Sequence, residues 1–246
     1  MATKNFQSQH LNMSKIYQSI LFFIISFYAS NAFSGSVNDD WSVWLSNTYQ
    51  TDFGGSKYLA FLELAPRTRN DNAEFSQSIV RPLIGYKLTE KLQIGLSYTW
   101  QGEYSQQADF DLATNDAMQQ LQWIDNLTPQ LNFQYRFRLE QRFFAHEDDI
   151  GHRMRHRVRF VYSLTDSNAY LIAADELFVY FNSIDEGRLS HSVQTGVNQN
   201  RTYLGVGYKL TPELNIDTGY QLQYVHNYGT ADLVNHVWLT NVNVNF

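Results

Sequence analysis

The stretch Leu131-Asn-Phe-Gln-Tyr-Arg-Phe-Arg-Leu-Glu-Gln-Arg142 decides the fold. Leu131, Phe133, Tyr135, Phe137 and Leu139 alternate with Asn132, Gln134, Arg136, Arg138, Glu140 and Arg142. Successive side chains of a β-strand point to opposite faces, so this period of two makes a strand with one apolar face and one charged face. The apolar face suits lipid and the charged face suits water.

The same alternation returns along the chain. Leu92, Ile94, Leu96, Tyr98 and Trp100 stand against Gln93, Gly95, Ser97, Thr99 and Gln101. Leu204, Val206, Tyr208 and Leu210, and then Leu214, Ile216, Tyr220, Leu222 and Tyr224, repeat it. Eleven such segments can be marked, near 41–50, 57–66, 74–88, 91–102, 117–127, 130–144, 153–165, 169–182, 198–210, 213–227 and 234–246. A soluble β-sandwich also alternates, but most of these segments run to ten or more residues with aromatics at their ends, as a tilted bilayer-spanning strand requires. An open sheet edge cannot be left unpaired in hydrocarbon. The expected fold is therefore all-β: a closed antiparallel up-and-down transmembrane β-barrel. Bacterial single-chain barrels have even strand numbers, which makes twelve the expected count and ten the next, with a missed strand before 74 or in 183–197.

Both chain ends fit that reading. The apolar run Ile20–Tyr28 follows Lys15 and precedes small Ser30 and Ala32, the pattern of a signal peptide over 1–32 cleaved after Ala32, with Met13 an alternative start. The barrel domain is then 33–246, exported through the inner membrane and periplasm to a bacterial outer membrane. The final strand, Val234–Phe246, puts Trp238, Val242, Val244 and Phe246 on one face and Asn241, Asn243 and Asn245 on the other. This looks like the terminal signal that barrel-assembly machinery reads during biogenesis. Short turns at Thr89-Glu90, Thr165–Asn168 and Thr211-Pro212 face the periplasm on this reading, and long loops near 102–117, 145–152 and 183–197 face outside.

Composition excludes several functions. Removing Lys4 and Lys15 with the signal segment leaves sixteen basic against 24 acidic residues, so the net charge of −6 becomes −8 and nothing points to nucleic acid. With no cysteine there are no disulfides and no thiol chemistry. No cofactor is expected. Glu147-Asp148-Asp149 reads as a solvated acidic loop rather than a metal site, and His146, His152 and His191, with Asp148, Asp149 and Ser192 nearby, carry no nucleophile motif. The expected partners are outer-membrane lipid, lipopolysaccharide and a small anionic solute, around a monomer.

The unusual chemistry sits on the hairpin of 130–144 and 153–165. Seven arginines, Arg136, Arg138, Arg142, Arg153, Arg155, Arg157 and Arg159, share the polar face with Glu140. A loop centred near 147–148 would pair Arg142 with Arg153, Glu140 with Arg155, Arg138 with Arg157 and Arg136 with Arg159. Like charges directly opposite on a sheet are destabilising, so this wall calls for acids from other strands or for an anionic ligand. Asp175, Glu176, Glu63, Asp125 and Asp217 are the available acids. Two readings of this wall stay open: a basic track that favours passage of anions, or a closed lumen filled by a salt-bridge network; a surface enzyme acting on lipid or peptide, which needs a Ser, a His and an acid converging at the outer rim, is the third reading of the chain. The glycines Gly205 and Gly207 fall on the inner face of a strand, where they let bulky side chains approach the wall.

Seven stretches resemble the domain of unknown function 2490 family of bacterial outer-membrane barrels. They are Leu62-Glu-Leu-Ala-Pro-Arg67, Val80-Arg-Pro-Leu-Ile-Gly-Tyr86, Arg138-Leu-Glu-Gln-Arg-Phe143, Gly151-His-Arg-Met-Arg-His-Arg157, Asp175-Glu-Leu-Phe178, Asn198-Gln-Asn-Arg201 and Asn235-His236. The resemblance implies a barrel and no particular activity. Its charged members, Arg81, Arg138, Glu140, Arg142, Arg153, Arg155, Arg157 and Arg201, share the polar face of their strands. Narrow porins for acidic oligosaccharides, with an inward arginine track, are an analogy for this arrangement. The chain departs from the family at Asp116-Ala-Met-Gln-Gln120, where an Asn-Glu-His-Arg-like start is usual.

Overall fold

The computed structural model describes residues 36–105, 108–145, 148–184, 193–228 and 230–246. The expected signal segment 1–32 with Met13 lies outside the described residues, as do His146, Glu147, His191 and Ser192.

Within them, eleven strands form: β1 (Val37–Thr51), β2 (Tyr58–Arg69), β3 (Glu74–Lys87), β4 (Leu92–Ser105), β5 (Ala108–Asn126), β6 (Leu131–Phe144), β7 (Ile150–Ser163), β8 (Ala169–Tyr180), β9 (Gly196–Lys209), β10 (Leu214–Val225) and β11 (Asp232–Asn245). Each pairs with the next, and β1 pairs with β11 to close the barrel. The expectation of twelve strands, or ten, is thus corrected to eleven. Every hairpin reverses the chain, so an odd number leaves the first and last strands running the same way. The β1–β11 pair is accordingly parallel, from Val37↔Asp232 to Gln50↔Asn245, while every other pair is antiparallel. A parallel ladder satisfies backbone groups almost as well as an antiparallel one, so closure needs no twelfth strand. Between β8 and β9, where a further strand was expected, the described residues contribute one isolated bridge, Ile184↔Val193.

The loop expected at 102–117 is also corrected. β4 and β5 run on as one long hairpin to the pair Ser105↔Ala108. Ala108, Phe110 and Leu112 alternate with Asp109 and Asp111, so the strand carries the same two-residue period, and the polar run Ser105-Gln-Gln107 before it is what reads as loop.

The connections at one end of the barrel, 52–57, 88–91, 127–130, 164–168 and 210–213, are all short; the other end mixes short ones, 70–73, the turn between Ser105 and Ala108, 145–149 in place of the long loop expected at 145–152, and 226–231, with the longest, 181–195. In the connection 52–57 Phe53, Gly54 and Gly55 all take positive φ. Asp52 closes this turn by accepting hydrogen bonds from Lys87 Nζ (2.7 Å) and the Gly55 N–H (2.9 Å). The lysine beside it holds the Asp52 carboxyl below the usual carboxylate range.

The two faces of the wall separate by chemistry. Trp41, Ile84, Leu96, Tyr98, Leu204, Val206, Trp238 and Phe246 are exposed on the outer face. Inside, the parity that buries Arg138 and Glu140 also buries Trp44, Met118, Phe178, Tyr180, Tyr203 and Val237. Gly207 lies under the ring of Tyr170 and Gly205 under the hydroxyl of Tyr203, so close that a Cβ at either would overlap the aromatic side chain.

Candidate functional site: the ionic inner wall

The β6–β7 hairpin is built in a register two residues away from the expected one. Glu140 faces Arg153, Arg138 faces Arg155, Arg136 faces Arg157 and Gln134 faces Arg159, while Arg142 faces Gly151. A slip of two leaves every side chain on its own face, which is why alternation alone could not set it. The like-charge pairs Arg138/Arg155 and Arg136/Arg157 remain, and acids from β6 and β8 reach one member of each, Arg155 and Arg136.

Glu140 is the centre of this convergence. Its Oε2 accepts from Arg153 Nε (2.7 Å) and Nη2 (2.5 Å), and its Oε1 accepts from Arg155 Nη1 (2.9 Å). Glu176 accepts from Arg155 Nη2 (3.0 Å) and from Arg136 Nη2 (2.8 Å). Arg142 donates to Asp116 (3.0 Å) and to the Tyr180 hydroxyl (2.9 Å). On the adjoining wall Arg81 donates to Glu63 (2.5 Å) and Thr99 (3.0 Å). Arg159 reaches Asp217 at 3.4 Å, joining β7 to β10, strands that are not neighbours; such a pair can form only through the barrel interior.

Of the acids named from sequence, Glu140, Glu63, Glu176 and Asp217 therefore point inward. Asp175 does not, which is a correction: in an alternating strand, neighbours 175 and 176 take opposite faces. Its carboxylate accepts from Asn200 Nδ2 (3.1 Å) and Thr202 Oγ1 (2.8 Å) on the outer side of the wall, where it is buried nonetheless. Asp125 is outside the network as well, pairing with Lys91. The partners that sequence reasoning did not single out are Asp116, Tyr180 and Arg67. Asp116 lies in the stretch where the chain departs from the family pattern, and Arg67 shares the two-residue parity of Glu63, a signal that could have found it.

Ten guanidiniums face the interior among the described residues, and four of them, Arg67, Arg138, Arg157 and Arg201, have no carboxylate within ion-pair distance. Arg138 Nε donates to Gln120 (2.7 Å), but its Nη1 is buried without a partner, as are the Nε atoms of Arg67 and Arg136. Arg201 has the Gln199 amide oxygen, turned toward it, as a neutral partner. Unpartnered guanidinium N–H groups away from water are costly, and their surplus makes the interior a field for negative charge.

Several histidines and the apolar-face residues of the final strand take outer-face positions. His156 Nδ1 lies 2.6 Å from the Tyr135 hydroxyl, and His236 Nδ1 lies 2.6 Å from the Tyr220 hydroxyl. Near the long-loop end, His226 Nδ1 lies 2.8 Å from Asp232 Oδ1. Trp238 and Phe246 are exposed, with Val242 and Val244 partly exposed on the same face.

Fold and inner wall together define a closed β-barrel that is apolar outside and ionic within. The chain belongs to the DUF2490 family of proteins of unknown function, whose model matches residues 41–234. An uncharacterized protein of Methylorubrum extorquens is 23% identical over 209 residues, covering 84% of this chain and 88% of that one. A solved structure described as the NanC porin is similar in fold, with a TM-score of 0.47 and 13% identity over 83% of this chain and 99% of that chain.

Proposed function

We propose that this chain is an outer-membrane barrel with a narrow, anion-preferring passage, its short turns in the periplasm and its long loops outside. The observation that carries the reading is the surplus of inward guanidiniums, four of them without a carboxylate. Fixed positive charge along a confined path lowers the cost of an anion and raises that of a cation. Arg136, Arg138, Arg142, Arg153, Arg155, Arg157, Arg159, Arg81 and Arg201 are the track, and a small anionic solute is the cargo. Planar-bilayer recordings test it: the parent conducts weakly with anions preferred, and Arg138→Glu with Arg157→Glu reverses the preference. A cation preference that the two substitutions leave unaltered would sink the proposal.

A second reading, a closed envelope barrel, is favoured by burial. Glu140, Met118 and Phe178 are each 1% exposed, so side chains fill the interior at their level. On this reading no conductance is recorded at any voltage.

The assembly role assigned to Trp238, Val242, Val244 and Phe246 is tested separately. The Phe246 N–H donates to Gln50 O (2.9 Å) at the β1–β11 seam. Deleting Phe246 is expected to lower the amount of heat-modifiable barrel in the outer membrane several-fold while the purified chain still refolds in detergent. Equal amounts in cells would remove the signal from the account.

A further inference from the structure

At the long-loop end β1 and β2 part company. Their pairing ends at Trp44↔Arg67, and beyond it the Val43 N–H turns to the Thr68 hydroxyl (2.7 Å). The β2–β3 turn, with Asn70, Asp71 and Asn72 all at positive φ, folds over β1: the Asp71 N–H donates to Asp40 Oδ1 (2.9 Å) and the Asn72 N–H to Trp41 O (2.9 Å). Between these elements opens a cavity of about 660 Å³, lined among others by Asp40, Trp44, Arg67, Asp71, Gln223 and Asn235. That size lies within the roughly 300–1,000 Å³ range of small-molecule sites.

The charges of this cavity are zoned. On one side, among the described residues, Arg67 has only the neutral Gln77 oxygen (2.9 Å) as a hydrogen-bond partner, and its Nε is buried without one. Its guanidinium lies 3.9 Å from the centre of the Trp44 ring, which lines the cavity beside it. On the other side Asp40 and Asp71 stand with no Lys, Arg or His within ion-pair distance among the described residues. Arg69, at the same mouth, is occupied by Glu74 (3.3 Å). A cavity with an unneutralised cationic floor and an unneutralised acidic rim complements a solute that carries both charges. A carboxylate matches the guanidinium fork, and an ammonium supplies the three donors that carboxylates accept.

We propose that this mouth is a binding site for a zwitterionic solute, an amino acid or short peptide, whose carboxylate lies on Arg67 and whose ammonium lies on Asp40 and Asp71. Simple anions satisfy the floor and are repelled by the rim; simple amines do the reverse. The site stands apart from the β6–β7 track and does not require that the barrel conduct.

Trp44 supplies a reporter, because it is buried in the interior while Trp41, Trp100, Trp123 and Trp238 are exposed on the outer face. The refolded full chain in detergent would be titrated with dialanine and with alanine, and in parallel with propionate and with ethylamine. Indole fluorescence and calorimetry would be read together, with Trp44→Phe as the optical control. Dialanine or alanine is expected to bind at least tenfold more tightly than either single-charge probe. Arg67→Gln and Asp40→Asn should each weaken that binding about tenfold while the heat-modifiable gel shift, the sign of a folded barrel, is kept. Propionate binding as well as dialanine would overturn the proposal, as would zwitterion binding that either substitution leaves unchanged, or no binding by a folded parent. Anion preference in bilayers, measured on Asp40→Asn, is expected to be retained, so failure here is distinguishable from failure of the passage.

Discussion

Replacing Glu140 with alanine is expected to destabilise the barrel by about 3–5 kcal/mol, the range seen when one partner of a buried ion pair is removed. Glu140 is 1% exposed and receives three short bonds from Arg153 and Arg155. Without it Arg155 keeps Glu176, whereas Arg153, among the described residues, keeps the Tyr180 hydroxyl at 3.4 Å and the Phe178 and Tyr180 rings but no carboxylate. Most of the cost therefore falls on Arg153, a charge left buried beside other arginines. The measurement is the urea midpoint of the detergent-refolded barrel, followed by the heat-modifiable gel shift. Adding Arg153→Met to Glu140→Ala should recover part of the loss, because it removes the stranded charge; a double mutant no better than the single one would mean that the cost arises elsewhere. A midpoint unmoved by Glu140→Ala would show that the network does not hold the fold.

The second large effect is expected at Gly219, which pairs with Gly205 across β9 and β10. An added Cβ would stand 2.2 Å from Leu204 O and 2.4 Å from the Gly205 Cα, both backbone atoms that no rotamer change can move aside. Gly219→Ala should therefore force the paired strands apart and cost about 3 kcal/mol, the upper end of ordinary overpacking. Gly207→Ala is the control. Its Cβ would meet the far edge of the Tyr170 ring at 2.2 Å, a side chain that can swing, so the same urea titration should show a smaller loss. Equal losses at the two positions would contradict this distinction between backbone and side-chain crowding.

The places where sequence reasoning stopped short have one cause. Alternation reports which face a residue takes, and nothing else. It separated Phe137 from Arg138 correctly, but it could not choose between registers two residues apart, so Glu140 was set opposite Arg155 when it faces Arg153. It also shows that Asp175 and Glu176 cannot share a face. Charge alone argued for placing both inside, and the Asn200 and Thr202 donors that make an outer-face carboxylate tolerable come from another strand. Eleven segments were visible in the pattern; twelve was expected from the parity of known barrels, and the parallel β1–β11 seam removed the need for it. The mouth between β1 and β2 was invisible because its residues, Asp40, Trp44, Arg67 and Asp71, come from separate strands and a turn.

What the sequence determined by itself was two-sidedness: the run from Leu131 to Arg142 and its repeats dictate a wall with an apolar and a charged face, because side-chain direction in a strand is a local property of the backbone. The tertiary structure decided which charges meet. Ion pairing falls off over a few ångströms and depends on register, strand tilt and closure, which are set by contacts between residues far apart in the chain. That is why the arginines could be counted from the sequence, while the four without carboxylates, and the cavity beside Arg67, emerge only when the barrel closes.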